Sequence, residues 1–463
     1  MTRTAARLFA PTGIARALIV TCLCALFTVS SVAPVQAQGR GLSLVRDAEI
    51  EALVNDYARP LMRAAGMRPG SVAFYLVNDS SFNAFVSGRG MFLNTGLLLQ
   101  SETPEEVIGV IAHELGHLIG AHQIRLRERI DDARRLARIS TLLGIGLGAA
   151  GAASGSNSVA SAGLGVASAG NSIGLREVLR YQRGEETSAD RTAVTLLEKT
   201  KQSGRGMLVT FQRLSRQLGG LAGRVNPYAI SHPLPNERIA GLRDAITRSP
   251  YYERKSPASL QLRHDMMRAK IAAYTGGSRY AQALLQGKDL QPVARLYGRA
   301  IVSHLYGSPR DATALIDRLI KQMPKNAYVH EMRGEIFLRS GNANAAVSSF
   351  RRAVQLDKTR AGFINVELGH ALVSTGKQSN MKEAVAVLNK GLARDPSAVA
   401  GYQYLAIAYG ALGQEARALL ATAELNARTG RKRQARDFAT RAQRSFKRGS
   451  PPWLRAQDII TQR

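Results

Sequence analysis

The chain has 463 residues, 45% of them hydrophobic, which is enough for two or three domains with their own cores. Its net charge of +29 at pH 7 favours polyanions or anionic membrane surfaces as neighbours. Both cysteines, Cys22 and Cys24, lie in the first 37 residues. Without that segment the chain can form no disulfide and no zinc–thiolate site, so any metal ion must be bound by His, Glu or Asp.

Residues 1–37 have the pattern of a cleaved secretory signal peptide. Three arginines give a positive start, Ala17–Val29 is an apolar run, and Val35-Gln36-Ala37 is a small-x-small cleavage site. The apolar run is short for a membrane span, and an uncleaved anchor is the alternative. We therefore expect export to the periplasm. Export and the lack of a recognisable nucleic-acid-binding motif in the sequence argue against nucleic acid as a partner.

The next segment predicts a helix followed by a small sheet. Leu42–Ala65 has apolar residues at helical spacing, and Val72–Val77 has the composition of a strand. Asn83–Val86 and Met91–Asn94 flank a predicted turn at Ser87–Gly90, which indicates a β-hairpin. An extended peptide can add to the edge of such a sheet by backbone pairing; a purely structural hairpin is the alternative.

An H-E-L-G-H motif occupies residues 113–117, inside a segment, Glu105–Gln123, that predicts one helix. On a helix His113 and His117 lie one turn apart on the same face, where two imidazoles can hold one Zn²⁺. Glu114 points toward the same cavity and can deprotonate a metal-bound water. The alternative is a helix that carries two incidental histidines.

The chain after this motif is first basic and then uncharged. His122 follows His117 by five residues, so a continuous helix turns it away from the metal face, and we expect it to be structural. Six arginines between residues 125 and 138 indicate a solvated helical face. Residues 139–175 have no charge and many glycines, each of which costs a helix about 1 kcal/mol relative to alanine. We predict a flexible lid that can touch a membrane surface; a membrane hairpin and a disordered insertion are the alternatives.

A helix predicted at Glu177–Lys199 can bring carboxylates to the same cavity. Glu186 and Asp190 are four residues apart and share a face, so one can reach the metal while the other lies behind it. Glu185 is the rival to Glu186 as the metal-binding carboxylate. A proline-containing loop over 226–238 then carries the segment Ser231-His232-Pro233.

After residue 255 the sequence changes to short helices that repeat at a spacing near 35 residues. Small and aromatic residues recur in three copies, one at Gly334–Ala353, the next from Leu368 and the third from Leu405, with a weaker copy at Arg295–Pro324. This is the tetratricopeptide pattern, in which helix pairs have small residues where they cross closely. At least three stacked repeats are needed for stability, and the sequence meets that requirement.

Three motifs of the first half resemble those of the gluzincin peptidases related to the CAAX prenyl proteases. They are the H-E-L-G-H motif, the segment Glu186-x-x-Ala189-Asp190, and Ser231-His232-Pro233 followed by Arg238-Ile239. The upstream Asn83-Ala84-Phe85 and Asn94–Leu97 segments are similar to theirs too. With its export signal and its repeats, the chain resembles the periplasmic metalloproteases of this family over nearly all of its mature length.

The resemblance implies a role for each matched residue. His113, His117 and Glu186 would be the ligands of one Zn²⁺ per chain and would leave a fourth position for water. Glu114 would be the general base and later the proton donor to the leaving amine. Asp190 would orient a ligand histidine by a hydrogen bond.

His232 has two functional interpretations in this scheme. It can occupy the fourth position at the metal and silence the enzyme, or it can hydrogen-bond the oxyanion of the tetrahedral intermediate. A loop histidine packed near a proline is the third interpretation.

The predicted fold is mainly α. It has a helical zinc metalloprotease domain with a small β-sheet at residues 38–255, followed by an α-solenoid of tetratricopeptide repeats at residues 256–463. The resemblance implies a zinc endopeptidase of the bacterial envelope that acts on unfolded or misassembled outer-membrane proteins. The repeats would bind those substrates or the β-barrel assembly machinery.

Two other functions are compatible with the sequence. The first is a repeat-based chaperone or adaptor with a silent peptidase domain, although an intact Glu114 argues against a silent site. The second is a membrane-embedded protease that uses residues 139–175.

Overall fold

The computed structural model of the protein describes residues 42–154, 157–218, 232–233 and 235–461. The predicted signal peptide lies outside the described residues, as do Ser231 and most of the loop before it. Within the described part, Leu44–Arg463 form one compact unit.

The first half combines one small sheet with seven helices among the described residues. The strands are β1 (Leu44–Val45), β2 (Ala73–Val77), β3 (Ala84–Ser87) and β4 (Gly90–Asn94). The helices are α1 (Ala48–Ala64), α2 (Thr95–Gln100), α3 (Pro104–Ile119), α4 (His122–Ala153), α5 (Asn157–Lys199), α6 (Arg205–Leu218) and α7 (Asn236–Thr247). The predicted mainly α fold class is confirmed.

The sheet has the strand order β1-β2-β4-β3, and β3 is an edge strand. β3 and β4 pair antiparallel, with Ala84 opposite Leu93 and Ser87 opposite Gly90, so the predicted hairpin is confirmed. β2 and β4 pair parallel. Along β3 the side chains alternate, since Ala84 and Val86 are buried and Ser87 is exposed. The buried face lies in the same core as α3, and β3 contacts α3 directly.

Helix α3 crosses the core of this half. Its first turn has a proline followed by two glutamates, which suits the positive end of the helix dipole. Two glycines allow other helices to approach its backbone. A Cβ atom on Gly109 would lie 2.5 Å from the Cβ of Met207 on α6, and one on Gly116 would lie 2.6 Å from the carbonyl oxygen of Ala189 on α5. The second contact sets α5 against the H-E-L-G-H segment.

The predicted single helix over Glu105–Gln123 is divided into two in the structure. α3 ends at Ile119, and α4 begins at His122. Between them Ala121 has a φ of 52°, in the left-handed region that breaks a right-handed helix. The position of His122 relative to α3 therefore does not follow the helical period.

Helices α4 and α5 pack against each other and contain most of the uncharged segment 139–175, for which we predicted a flexible lid. Small residues allow the two helices to approach closely: a Cβ atom on Gly174 would lie 3.2 Å from the Cβ of Ala133. The prediction of a lid considered only the low helix propensity of the glycines. The packing of the two helices against each other offsets that cost. Large apolar side chains remain exposed in the described part of this pair: Ile139, Leu142, Leu143, Ile145, Leu147, Ile173 and Leu175.

In the part of the chain that the structure describes, no helix combines the length and the hydropathy needed to cross a membrane.

The second half consists of twelve helices among the described residues. They are α8 (Ala258–Thr275), α9 (Gly277–Gln286), α10 (Pro292–Tyr306), α11 (Pro309–Gln322), α12 (Ala327–Arg339), α13 (Ala343–Leu356), α14 (Gly362–Ser374), α15 (Gln378–Arg394), α16 (Val399–Ala411), α17 (Glu415–Arg428), α18 (Lys432–Gln443) and α19 (Pro451–Thr461). Each packs on its chain neighbours, which forms the predicted α-solenoid. A Cβ atom on Gly334 would lie 2.7 Å from the Phe350 ring, and one on Gly369 would lie 2.3 Å from Leu388. These are the close helix crossings that the repeat pattern predicts.

Helix α8 joins the two halves. Its Met267 and Ile271 belong to the core of the first half, whereas Met266 and Ala269 belong to the core of the first repeats. The two described halves thus share a helix, and a domain boundary at residue 255 stays a prediction.

Candidate metal centre

Four buried side chains converge where α3, α5 and the described end of the 226–238 loop meet. His113 Nε2 lies 3.0 Å from His117 Nε2. Glu186 Oε2 lies 3.3 Å from His113 Nε2, and its Oε1 lies 3.3 Å from His117 Nε2. His232 Nδ1 lies 3.3 Å from His113 Nε2 and 3.1 Å from Glu186 Oε1. Each residue offers one ligand atom, and all four atoms lie within 4.8 Å of one another.

This donor set fits one four-coordinate ion. A tetrahedron whose metal–ligand bonds are about 2.0–2.1 Å long has edges of about 3.3 Å, close to the measured separations. Imidazole and carboxylate donors without thiolate are the ligands of a hydrolytic zinc site. Glu185, the rival to Glu186, is directed elsewhere: its Oε2 lies 2.5 Å from His122 Nε2.

Glu114 lies beside this cluster and is 1% exposed. Its Oε1 has no hydrogen-bond partner within the described residues, and the nearest ion-pair contact is to His232 Nε2 at 3.5 Å. Burial raises the pKa of Glu114 to about 7, although the nearby His117 and His113 oppose the shift. A carboxylate with a pKa near neutrality can both take up and release a proton at physiological pH.

Asp190 and Arg238 lie behind the cluster. Asp190 Oδ1 is 2.9 Å from His113 Nδ1, the ring nitrogen that faces away from the other donors. Arg238 donates to both Asp190 oxygens, from Nε at 2.6 Å and from Nη2 at 2.8 Å, and its Nη1 lies 2.9 Å from Glu186 Oε2. Nη1 also donates to the Pro233 carbonyl at 2.8 Å, which attaches the residue next to His232 to this network.

The charges of this network shift the pKa values of its carboxylates. Burial by itself raises the pKa of Asp190, but hydrogen bonds from Arg238 and His113 outweigh it and hold the pKa below its ordinary value. Burial likewise opposes ionisation of Glu186, yet the surrounding histidines hold its pKa far below the ordinary value. Both carboxylates are therefore ionised at neutral pH.

Sequence reasoning missed two features of this site. Arg238 was noticed only as part of a family pattern, because an arginine in a helical turn has no chemical signature by itself. His122 was predicted to point away from the metal face, whereas its Nδ1 lies 3.0 Å from His117 Nδ1. That prediction assumed a continuous helix and was wrong because the helix is broken before His122.

Comparison with known proteins relates the first half to a described family. Residues 45–246 match the model of Peptidase family M48. This part of the chain is similar to M48 peptidase domains. The match contains the metal cluster and supports the enzyme class predicted from the motifs, a metalloprotease.

The likeness extends beyond the segment that matches the M48 model. The chain is 26% identical over 417 residues to the beta-barrel assembly-enhancing protease of Escherichia coli K12. The match covers 88% of this chain and 81% of that protein. It is 26% identical over 420 residues to a putative protein of the same name from Vibrio cholerae. Protease HtpX of Legionella pneumophila is 42% identical over 71 residues, 14% of this chain and 24% of that protein. The predicted resemblance to these metalloproteases is confirmed.

Among solved structures, a crystal structure of MamA matches with a TM-score of 0.28 and 19% identity. The match covers 35% of this chain and 90% of that chain.

Proposed function

We propose that the protein is a zinc-dependent endopeptidase of the bacterial cell envelope that hydrolyses peptide bonds in unfolded or misassembled outer-membrane proteins. The observation that carries the proposal is the tetrahedral spacing of His113, His117 and Glu186 beside Glu114, a buried carboxylate whose Oε1 lacks a hydrogen-bond partner among the described residues. The name of the relatives that match most of the chain, beta-barrel assembly-enhancing protease, supports β-barrel assembly as the context.

The proposal gives each residue of the site a role in metal binding, proton transfer or orientation. His113, His117 and Glu186 would hold the ion, which would act as a Lewis acid and lower the pKa of a water molecule. Glu114 removes a proton from the attacking water and delivers it to the leaving amine. Asp190 Oδ1, 2.9 Å from His113 Nδ1, would hold the proton on that nitrogen, so that the Nε2 lone pair of His113 faces the centre. The edge strand β3, which contacts α3, can position an extended substrate by backbone pairing.

His232 blocks the centre in this proposal. Its Nδ1 takes one corner of the four-donor arrangement, the corner that a water molecule needs in an active site. Substrate binding would have to displace it, so the enzyme would stay off until a substrate takes its place. Replacing His232 by Ala should raise the turnover of a model substrate. A fall in turnover would instead favour the oxyanion-binding role.

The hydrolase proposal is tested by casein cleavage with the purified protein and its Glu114→Gln variant. The wild type should cleave and should contain one zinc ion per chain by elemental analysis, whereas the variant should bind zinc without cleaving. Equal cleavage by both would assign the activity to a contaminant. If neither cleaves and both suppress aggregation, the chaperone or adaptor function is favoured.

The proposed partners follow from the two remaining parts of the chain. The repeats would bind unfolded substrates or the β-barrel assembly machinery. The α4–α5 pair would make peripheral contact with a membrane, because its exposed apolar side chains stand next to a basic stretch of α4.

A further inference from the structure

The chain makes an abrupt change of direction directly after His117. Gly120 ends α3 with its N–H donating to the carbonyl of Gly116, and Ala121 follows in a left-handed conformation. Non-glycine residues seldom adopt this conformation, and it persists where the surrounding structure holds it. The result is that His122, the first residue of α4, lies next to His117 and not on the far side of a continuous helix.

The imidazole of His122 is buried between a metal-site histidine and a carboxylate. Its Nδ1 is 3.0 Å from His117 Nδ1, and its Nε2 is 2.5 Å from Glu185 Oε2. The His122 and His117 rings meet edge to face, with their centroids 5.0 Å apart. Beyond the contact with His122, Glu185 Oε2 has no hydrogen-bond partner within the described chain.

Gly120 is required for this packing. A Cβ atom at residue 120 would lie 1.9 Å from His122 Nε2, so any other residue would displace the imidazole. The glycine, the left-handed Ala121 and the position of His122 are thus three parts of one local arrangement.

The contacts determine which nitrogens carry protons. His117 Nε2 faces the donor cluster, so it must offer a lone pair to a metal, and the proton of a neutral imidazole then lies on Nδ1. That Nδ1–H can donate to His122 Nδ1. The His122 proton then lies on Nε2, where it faces the Glu185 carboxylate.

We propose that His122 and Glu185 position His117 for metal binding, as Asp190 positions His113. This inference rests on the proposed zinc site and deepens it. Each of the two H-E-x-x-H histidines then has its own partner on α5, Asp190 directly for His113 and Glu185 through His122 for His117. Glu185 therefore has a role next to Glu186 that is distinct from metal ligation.

The test measures zinc affinity, by competition with a chromophoric chelator, in the full-length protein. Replacing His122 by Phe keeps a buried ring but removes both nitrogens, and it should weaken zinc binding 10- to 100-fold. Replacing it by Gln restores an acceptor and a donor and should recover most of the affinity. Glu185→Gln should weaken binding in the same direction by a smaller factor.

A matched control is His304→Phe in the repeats. His304 is also buried and also contacts a carboxylate, Glu335, at 3.3 Å, but it is remote from the donor cluster in sequence and belongs to α10. Its replacement should leave zinc affinity unchanged. Thermal unfolding of the zinc-free proteins separates loss of positioning from loss of folding, since the positioning role predicts weaker zinc binding at an unchanged unfolding temperature.

The outcomes distinguish this inference from the proposed function. If the wild-type protein binds no zinc, the proposed function fails. If the wild type binds zinc and both His122→Phe and Glu185→Gln bind it equally well, only the positioning role is wrong. Equal weakening by Phe and Gln at residue 122, with Glu185→Gln like wild type, would also overturn it. Should His122→Phe fail to fold, the Gln variants at 122 and 185 decide the question.

Discussion

Arg238 neutralises the carboxylates behind the metal centre. Its side chain is 5% exposed, contacts Asp190 and Glu186, and lies over the Phe211 ring at 5.2 Å. Two carboxylates buried this deeply are costly unless a cation pairs with them. A lysine cannot reproduce the two parallel hydrogen bonds to Asp190, because it lacks the planar fork of a guanidinium group.

Replacing Arg238 by Met should destabilise the zinc-free protein by about 3–5 kcal/mol, since Asp190 and Glu186 lose their buried cation. The free energy of unfolding in urea at pH 7.5 checks this. The loss should be smaller with zinc bound, because the metal would itself neutralise Glu186.

Arg205→Met is the control for this prediction. Arg205 pairs with Glu253 at 2.8 Å, but both side chains are more than half exposed, so this change should cost less than about 1 kcal/mol. Equal destabilisation by both variants would contradict the role assigned to Arg238.

His264 joins helix α8 to α1 and to the end of α2 by two hydrogen bonds. It is fully buried, accepts from the Tyr57 hydroxyl at 2.9 Å through Nδ1, and donates from Nε2 to the Ser101 carbonyl at 2.8 Å. These bonds require the neutral imidazole. Burial lowers the pKa of His264 to about 3, although the bond to Ser101 opposes the shift.

This shift predicts a specific acid sensitivity. An unfolded histidine is protonated below pH about 6.5, whereas folded His264 stays neutral, so its contribution to stability is full above that pH and is lost as the pH falls toward 3. Between pH 6.5 and pH 5 the free energy of unfolding should fall by about 2 kcal/mol from this group.

Urea unfolding of zinc-free wild type and His264→Gln at pH 7.5 and pH 5.0 checks this prediction. The other titrating groups are common to both proteins, so the difference in pH dependence isolates His264. The variant should be less stable at pH 7.5 and should lose less stability on acidification. An identical pH dependence would contradict the assignment.

The α4–α5 pair exposes large apolar side chains that a membrane surface can cover. Leu142 and Ile145 are 69% and 63% exposed. Replacing both by Ser should reduce co-sedimentation with vesicles that contain anionic lipid several-fold, since the change removes about 200 Å² or more of apolar contact area. Vesicles of zwitterionic lipid should bind the wild type weakly, because they lack the charge that attracts the arginines.

Ile407→Ser is the control for the membrane prediction. Ile407 is 48% exposed but lies in the repeats, outside the proposed contact. It should leave vesicle binding unchanged. Vesicle binding that is the same in all three proteins would remove the membrane contact and leave these helices with their packing role alone.

Buried charges connect the two halves of the protein. Lys270 on α8 lies 2.6 Å from Asp47 Oδ2 and 3.2 Å from Glu49 Oε2, at the start of α1. Tyr297 on α10 donates to the same Glu49 oxygen at 2.8 Å. Arg46 adds a second connection, since its Nη2 lies 2.6 Å from Asp395 Oδ2, far along the repeats.

Replacing Lys270 by Met should lower the free energy of unfolding by about 3–5 kcal/mol, because Glu49 would remain buried without its cation. Calorimetry should still show one transition, since α8 belongs to the cores of both halves. Adding Glu49→Gln to the same chain should recover part of the loss. Two separate transitions in the wild type would contradict this account of a shared helix.

The sequence alone determined the features that depend on local periodicity. The helical period placed His113 and His117 on one face of α3, the alternation and turn residues located the β3–β4 hairpin, and the repeat spacing located the solenoid. These features arise from interactions between residues near each other in the chain. Pattern therefore sufficed for them, and the motifs sufficed for the class of enzyme.

The completion of the site depends on tertiary packing. The four-residue spacing to Asp190 favoured Glu186 over its rival Glu185, and the packing of α5 on Gly116 brings Glu186 to the histidines. Arg238 and His232 reach the centre from a distant loop and helix, which no local pattern specifies. The break at Ala121 reversed the predicted direction of His122. Glu186, Arg238 and His232 depend on close approaches between segments that are far apart in sequence. His122 depends on one backbone conformation that overrides the helical period.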